Sequence, residues 1–282
     1  DNQKSEILIF LNENVDGSYY SEEALDFAEE VIENPDAEVD FEYRIIEEES
    51  FEDEPCLDDI LDQISVIDIA SDYLDNFSGE NPVSHLKFSA SSFGNSVNAV
   101  THPPENFVIE IEFNLDRMER PSADIARTMI HEIIHAEIFR KLLSLAEAGS
   151  LSGLTEQDIL DAKDSYPGIH DYYTRYIYNN PNPSSPQHNM MAQHMIGTIT
   201  TFIMQFDSSL SSTEAEALAW IGLKKGVDGD DQSQIDAETG LVVDPFTGAD
   251  ESTVAWTNLG QEKRLNIIED TNNYMQNTEP CQ

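Results

Sequence analysis

The stretch IARTMIHEIIHAEIF, residues 125–139, carries the strongest structural signal in the sequence. Its apolar residues recur with helical spacing and predict a helix from about residue 123 to 147. His131 and His135 are four residues apart, so a helix places both imidazoles on one face. Two imidazoles in this arrangement can bind one zinc ion, and Glu132 between them can act as general base on a zinc-bound water. The apolar stripe expected to bury this helix consists of Ile125, Met129, Ile130, Ile133, Ile134 and Leu142.

Zinc at a catalytic site needs a third protein ligand, which the HEIIH stretch does not supply. A metzincin would carry a glycine three residues and a histidine six residues beyond His135, where this chain has Ile138 and Lys141. The metzincin pattern is therefore excluded. A thermolysin-like glutamate on a following helix could be Glu156, but its neighbours, LTEQDIL, lack the usual surroundings of that ligand.

Two later histidines are better candidates for the third ligand. His188 and His194 lie in PQHNMMAQHM, at the predicted start of a long helix. Six residues correspond to about 600° of helical rotation, so the two side chains point in different directions. Only one of them is expected to face the metal. His85 and His102, which precede the strand NFVIEIEFN, suit ordinary loop or strand positions.

The pattern around the helix predicts an α+β fold that is mostly helical, with a small mixed sheet beside the HEIIH helix. HLKFSAS and NFVIEIEFN alternate between apolar and polar residues, as strands do. NFVIEIEFN is predicted to be the edge strand that borders the cleft, where an extended peptide could pair. Residues 1–55 are strongly acidic and are predicted to be a separate segment or small appendage, whereas residues 56–282 form the catalytic domain.

The net charge limits the classes of molecule that the protein could bind. The chain has 14 Lys+Arg against 56 Asp+Glu, a formal net charge of −42, which repels phosphate backbones and anionic membranes. Nucleic-acid binding is therefore not expected. Membrane insertion is not expected either, because no apolar run is long enough to span a bilayer. The charge indicates a solvated surface, or alternatively attraction of cations or basic peptides. A start at Asp1 without methionine suggests a mature, secreted or extracytoplasmic product, and the protein is predicted to be a monomer.

The two cysteines and an acidic loop allow two further structural predictions. Cys56 and Cys281 could form a disulfide that ties the C-terminal tail to the body, or could be two unrelated thiols. The acidic loop 228–238 is rich in oxygen ligands and could bind calcium, although it fails the EF-hand pattern. The alternative for this loop is a flexible acidic segment.

Four segments of the chain together resemble a family of uncharacterised secreted bacterial zinc metallopeptidases, loosely similar to the SprT-like, minimal-gluzincin group. The resemblance covers roughly residues 56–275. It implies a zincin-like fold, a Zn²⁺ cofactor and His188 as the third ligand, with His194 as the alternative. The strong acidity departs from the nucleic-acid-associated members of the SprT-like group, so their substrates are not carried over. The four segments are NAVTHPPENFVIEIEFN, RPSADIARTMIHEIIHAEIFRKLL, QHNMMAQHM, and ALAWIGL with AWTNL.

The predicted function is hydrolysis of peptide bonds in a peptide or protein substrate, whose side chains could be basic. Tyr172 and Tyr173, with His170 nearby, are candidate donors to the oxyanion, or else packing residues. Asp124 and Glu137 could orient a ligand imidazole, although a solvated or capping role is the preferred interpretation. Two other classes of function compete: a non-catalytic binding protein that keeps the zincin fold, and an acidic decoy or inhibitor of a basic protein.

Overall fold

The computed structural model describes most of the chain from residue 45 onward and shows an α+β protein with a small mixed sheet. The predicted α+β class is thus confirmed. The described residues are 45–78, 84–94, 97–102, 108–147, 186–225 and 234–281, with isolated positions before residue 45 that include a hairpin of β1 (Val15–Asp16) and β2 (Tyr19–Tyr20). The chain divides into two compact units, Asp1–Asp116 with Glu132–Tyr166 and Arg117–His131 with Pro167–Gln282.

The first unit contains a four-stranded sheet. Strand β3 (Ile45–Glu47) is followed by helices α1 (Glu49–Glu52), α2 (Pro55–Ser65) and α3 (Asp68–Ser78), and then by strands β4 (His85–Ser91), β5 (Ala99–Thr101) and β6 (Val108–Asn114). The strand order is β3-β4-β6-β5. Strands β3, β4 and β6 are parallel, and β5 runs antiparallel to β6.

Alternation along β6 shows why these residues form the sheet. Ile109, Ile111 and Phe113 are fully buried on one face, whereas Glu110 and Glu112 lie half-buried on the other. Those two carboxylates accept hydrogen bonds of 2.6 Å from serine hydroxyls of the neighbouring strand β4. The polar face of the sheet is therefore stabilised by cross-strand pairs between its side chains.

The prediction that NFVIEIEFN forms the edge strand was wrong. This segment contains β6, which lies inside the sheet and pairs with a strand on each side. The edge position next to β6 belongs to the three-residue strand β5, Ala99–Thr101, which comes from the loop before it. Among the described strands, β5 pairs only with β6. A surface for pairing with an extended peptide would therefore lie along β5.

The HEIIH helix is α4, Ser122–Glu147, which follows a short 3₁₀ turn at Leu115–Arg117. Every residue from 123 to 139 is buried, so this part of the helix is enclosed on all sides and not only along a single apolar stripe. The polar residues of this stretch are buried as well as the apolar ones. Charged side chains on this helix must be neutralised inside the protein, since burying an unpaired charge is costly.

The second unit is built mainly from helices. After α4 come α5 (Pro186–His194), α6 (Ile196–Phe206), α7 (Ser212–Ala219), α8 (Val254–Asn258) and α9 (Gln261–Asn277). A hairpin of β7 (Gln234–Ile235) and β8 (Val242–Val243) lies between α7 and α8. Helix α7 starts with a capping box, in which Ser211 and Glu214 bond each other's backbone N–H groups.

The disulfide and the acidic N-terminal segment were two further predictions from the sequence. Cys56 and Cys281 are both disulfide-bonded and are the only cysteines in the chain, so the disulfide prediction is confirmed. The boundary after residue 55 stays a prediction, although β3 within the acidic segment pairs with β4. None of the helices in the described ranges combines the length and the apolar character needed to cross a bilayer.

Candidate metal centre

Three histidines converge in the structure. His131, His135 and His188 each offer one ring nitrogen, and these three atoms all lie within 4.8 Å of one another. His131 and His135 are buried and His188 is half-buried. It is the one group among the described residues that could hold a metal ion, and it is the trio that the sequence and the resemblance predicted.

Two helices position these imidazoles. Helix α4 brings His131 and His135 together because they are one turn apart. His188 comes from α5, where the next residue, Asn189, accepts a 2.8 Å hydrogen bond from the backbone N–H of Val254 at the start of α8. The rings of His131 and His188 have centroids 5.6 Å apart and planes inclined at 59°, so the two imidazoles are tilted against each other and do not stack.

The donor set fits zinc. Zinc–nitrogen bonds of about 2.1 Å in tetrahedral geometry place ligand nitrogens about 3.4 Å apart, which small rotations of these side chains can reach. Three neutral imidazoles are a known ligand set for catalytic zinc and leave one coordination position for water or substrate. Other imidazole-binding metals, such as copper, iron and nickel, share this preference for nitrogen.

Glu132 is held by the edge strand of the sheet. The hydroxyl of Thr101 in β5 lies 2.7 Å from Oε2 of Glu132 and 3.1 Å from its backbone carbonyl oxygen, and it donates to these acceptors. The side chain of Glu132 is 8% exposed. Glu132 follows His131 directly in α4, and its carboxylate is hydrogen-bonded from outside the helix, a contact that the sequence did not indicate.

Asp124 forms a buried cluster with two arginines near the start of α4. Arg127 donates to Oδ1 of Asp124 at 2.6 Å through Nη2, and Arg120 donates to Oδ2 at 2.6 Å through Nη1. Arg120 Nη1 also donates to the hydroxyl of Thr128 at 3.0 Å. Burial alone would raise the pKa of Asp124, but the two guanidiniums outweigh it and the pKa is lowered.

The predicted roles of Asp124 and Glu137 need correction. Both side chains are buried and bonded to cations, so neither is a solvated residue and neither bonds a ligand imidazole among the described residues. Glu137 accepts hydrogen bonds of 2.7 and 3.0 Å from Arg140 and forms an ion pair with Lys141 at 3.2 Å. These cation–carboxylate pairs neutralise the buried charges of Asp124 and Glu137.

Gly222 lies against the His131 ring. Its φ of +84° is a left-handed conformation that glycine adopts without strain, and a Cβ there would lie 3.3 Å from Cε1 of His131. The same Cβ would be 3.9 Å from Nη1 of Arg127. The glycine therefore permits the close approach of backbone to the imidazole. The sequence contains this residue in WIGL but gives no signal of its position beside the site.

We expect Gly222→Ala to weaken zinc binding about tenfold to a hundredfold, because the added methyl group displaces the His131 ring. Competition with a chromophoric chelator measures this affinity. The matched control is Gly248→Ala, where φ is +70° but no atom lies within 4 Å of the added Cβ. The control shares the backbone strain and should bind zinc like the native protein. Equal zinc affinities in the two variants would contradict the role given to Gly222.

Of the other predicted site residues, only His194 lies in the part of the chain that the structure describes. His194 is exposed and does not belong to the trio. Tyr172 and Tyr173 lie outside the described residues, as do His170 and Glu156, so their roles stay predictions.

The calcium prediction for the loop 228–238 is also untested for most of that loop, because residues 226–233 lie outside the described ranges. Asp236, at its described end, accepts a 2.7 Å hydrogen bond from the backbone N–H of Thr239 and another of 2.7 Å from its hydroxyl. These bonds lower the pKa of Asp236 and fix its carboxylate within a tight turn.

Asp244 makes the same kind of turn eight positions later, in a DxxTG sequence that repeats the first. This short repeat was not recognised from the sequence. Asp236 and Asp244 therefore each form a tight turn.

Comparison with known proteins does not identify the chain: no family model matches it, and no curated protein or solved structure is significantly similar to it.

Proposed function

We propose that this protein is a zinc-dependent metallopeptidase with a zincin-like fold. The observation that carries the proposal is the convergence of His131, His135 and His188, with the buried Glu132 directly after His131 in the helix α4. A purely structural metal site has no need of a carboxylate next to the ligands on the same helix. The mixed sheet with an antiparallel edge strand, whose Thr101 contacts the HEIIH helix, supports the zincin-like assignment.

His131, His135 and His188 would hold the metal, which supplies Lewis acidity: it lowers the pKa of water toward about 7 and polarises a substrate carbonyl. Glu132 would accept the proton that the attacking water loses. It would then donate this proton to the nitrogen of the leaving amine as the C–N bond breaks. The 2.7 Å hydrogen bond from the Thr101 hydroxyl restrains this carboxylate, as a general base requires.

The substrate is proposed to be an extended peptide that pairs with β5. This strand is the sheet edge next to β6, and main-chain hydrogen bonds to an edge strand bind extended peptides with little dependence on sequence. The net charge of −42 favours basic substrates at long range, since it attracts cations and repels anions. The disulfide between Cys56 and Cys281 supports an extracytoplasmic location, because disulfides persist in oxidising compartments.

The high negative charge also supports a second candidate, an acidic inhibitor or decoy of a basic protein. That function would not use the metal. Binding of a histone-like basic protein that is equally strong with and without zinc, together with an absence of cleavage, would favour the decoy.

Metal analysis of histidine variants tests the assignment of the ligands. We expect the purified native protein to bind about one zinc ion per chain, and His131→Ala and His188→Ala to lose it, because only two imidazoles would remain. His194→Ala is the matched control, since this exposed histidine lies on the same helix as His188 but outside the trio. Undiminished zinc binding by His188→Ala, or loss of zinc in His194→Ala, would refute the ligand set.

A further inference from the structure

The pattern of hydrogen bonds between β5 and β6 shows in which direction each backbone N–H and C=O group of β5 points. The N–H of Asn114 in β6 donates to the carbonyl of Asn98 at 3.0 Å, and the N–H of His102 donates to the carbonyl of Glu110 at 2.8 Å. In an antiparallel pair, residues with bonds to the partner strand alternate with residues whose backbone groups point away from it. Thr101 lies opposite Ile111 and immediately before His102, so its N–H and C=O point away from β6.

The side chain of the same residue contacts the proposed general base. The Thr101 hydroxyl has one hydrogen, and of its two acceptors the Glu132 carboxylate at 2.7 Å is closer than the backbone carbonyl at 3.1 Å. A hydrogen bond to an ionised acceptor is about twice as strong as one between neutral groups. The carboxylate of Glu132 is thus the favoured acceptor.

Threonine at this position suits a rigid support. Its β-branched side chain has few rotamers, and it lies opposite Ile111 in a strand whose neighbouring residue His102 is hydrogen-bonded to β6. A glutamate has three rotatable bonds and loses considerable entropy when it is held in one orientation. A fixed hydroxyl can hold the Glu132 carboxylate in one orientation before substrate binds.

We infer that Thr101 is a positioning residue that orients the Glu132 carboxylate and links it to a peptide paired along β5. The backbone of Thr101 offers its N–H and C=O to the extended substrate, while its hydroxyl holds the base. Thr101 thus both pairs with the substrate and orients the general base. This inference rests on the proposed peptidase function.

Kinetics of three variants test the inference. Thr101→Val removes the hydroxyl and keeps the shape, so we expect kcat to fall about tenfold to a hundredfold while KM and zinc content stay unchanged. Thr101→Ser restores the hydroxyl and should recover kcat to within about threefold of native. Thr101→Ala serves in place of the valine variant if the latter does not fold.

Native kcat in Thr101→Val, with Glu132→Gln inactive, would overturn the inference and leave the peptidase function intact. Cleavage by the native protein that does not depend on Glu132 would instead refute the proposed function. The two failures are therefore distinguishable.

A binding measurement tests the link between Thr101 and Glu132 without activity. Acetohydroxamate chelates zinc through two oxygens, and its acidic proton is shared with a neighbouring carboxylate. Calorimetry on the zinc-loaded protein should show about tenfold weaker binding to Thr101→Val than to the native protein, and no further loss when Thr101→Val is added to Glu132→Gln. An equal loss in both backgrounds, or none in either, would show that Thr101 does not act through Glu132 and would overturn the inference.

Discussion

Glu132→Gln is expected to reduce peptide cleavage about a hundredfold to ten-thousandfold, the range that a general base contributes. The substitution keeps the size of the side chain and the hydrogen bond from Thr101, but an amide oxygen cannot accept the proton of the attacking water under these conditions. Zinc content should stay at the native level, because Glu132 is not one of the three converging ligands. Mass spectrometry of a peptide-library digest measures cleavage by each variant.

The matched control is Glu216→Gln, which alters a glutamate of helix α7 that pairs with Lys263 on the surface. This variant should cleave the library like the native protein. Identical digests from the native chain and from Glu132→Gln would show that the cleavage comes from another source.

Asp124→Asn is expected to lower the free energy of unfolding by about 3–5 kcal/mol, the cost of breaking a buried ion pair. The reason is that the guanidiniums of Arg120 and Arg127, 6% and 3% exposed, would lose the carboxylate that, among the described residues, pairs with both. Urea unfolding followed by circular dichroism measures the change. Glu216→Gln again serves as the control, since a partly exposed pair contributes only about 0–1 kcal/mol.

The free energy of unfolding should depend on pH differently in the native protein and in Asp124→Asn. The pKa of Asp124 is lowered in the folded state, so its stabilising contribution is complete above its unfolded pKa of about 3.9 and is lost as the pH falls through the folded value. The stability difference between the native protein and Asp124→Asn should therefore shrink below about pH 4. A difference that is constant between pH 7 and pH 2.5 would contradict the buried pairing of Asp124.

The sequence predicted the parts of the site that depend on local geometry. His131 and His135 are neighbours because of helical spacing alone, and the apolar pattern was sufficient to predict the helix that carries them. His188 lies in a different helix, and helical rotation left it and His194 as alternatives. The resemblance favoured His188, and the structure brings that residue into the trio.

The parts that the sequence did not predict depend on contacts between distant segments. Strand β5 has three residues and no distinctive alternation, so the longer β6 was mistaken for the sheet edge. Asp124 and Glu137 occupy positions that look solvated on a helix with one apolar stripe. They are buried because the helix is enclosed on all sides, which only tertiary packing determines.

The most direct test of the central claim is anomalous scattering at the zinc absorption edge from crystals of the zinc-loaded protein. We predict one strong peak, located about 2.1 Å from one ring nitrogen of each of His131, His135 and His188. A peak bound elsewhere in the chain, or no peak at these three imidazoles, would contradict the proposed metal centre and the peptidase function that depends on it.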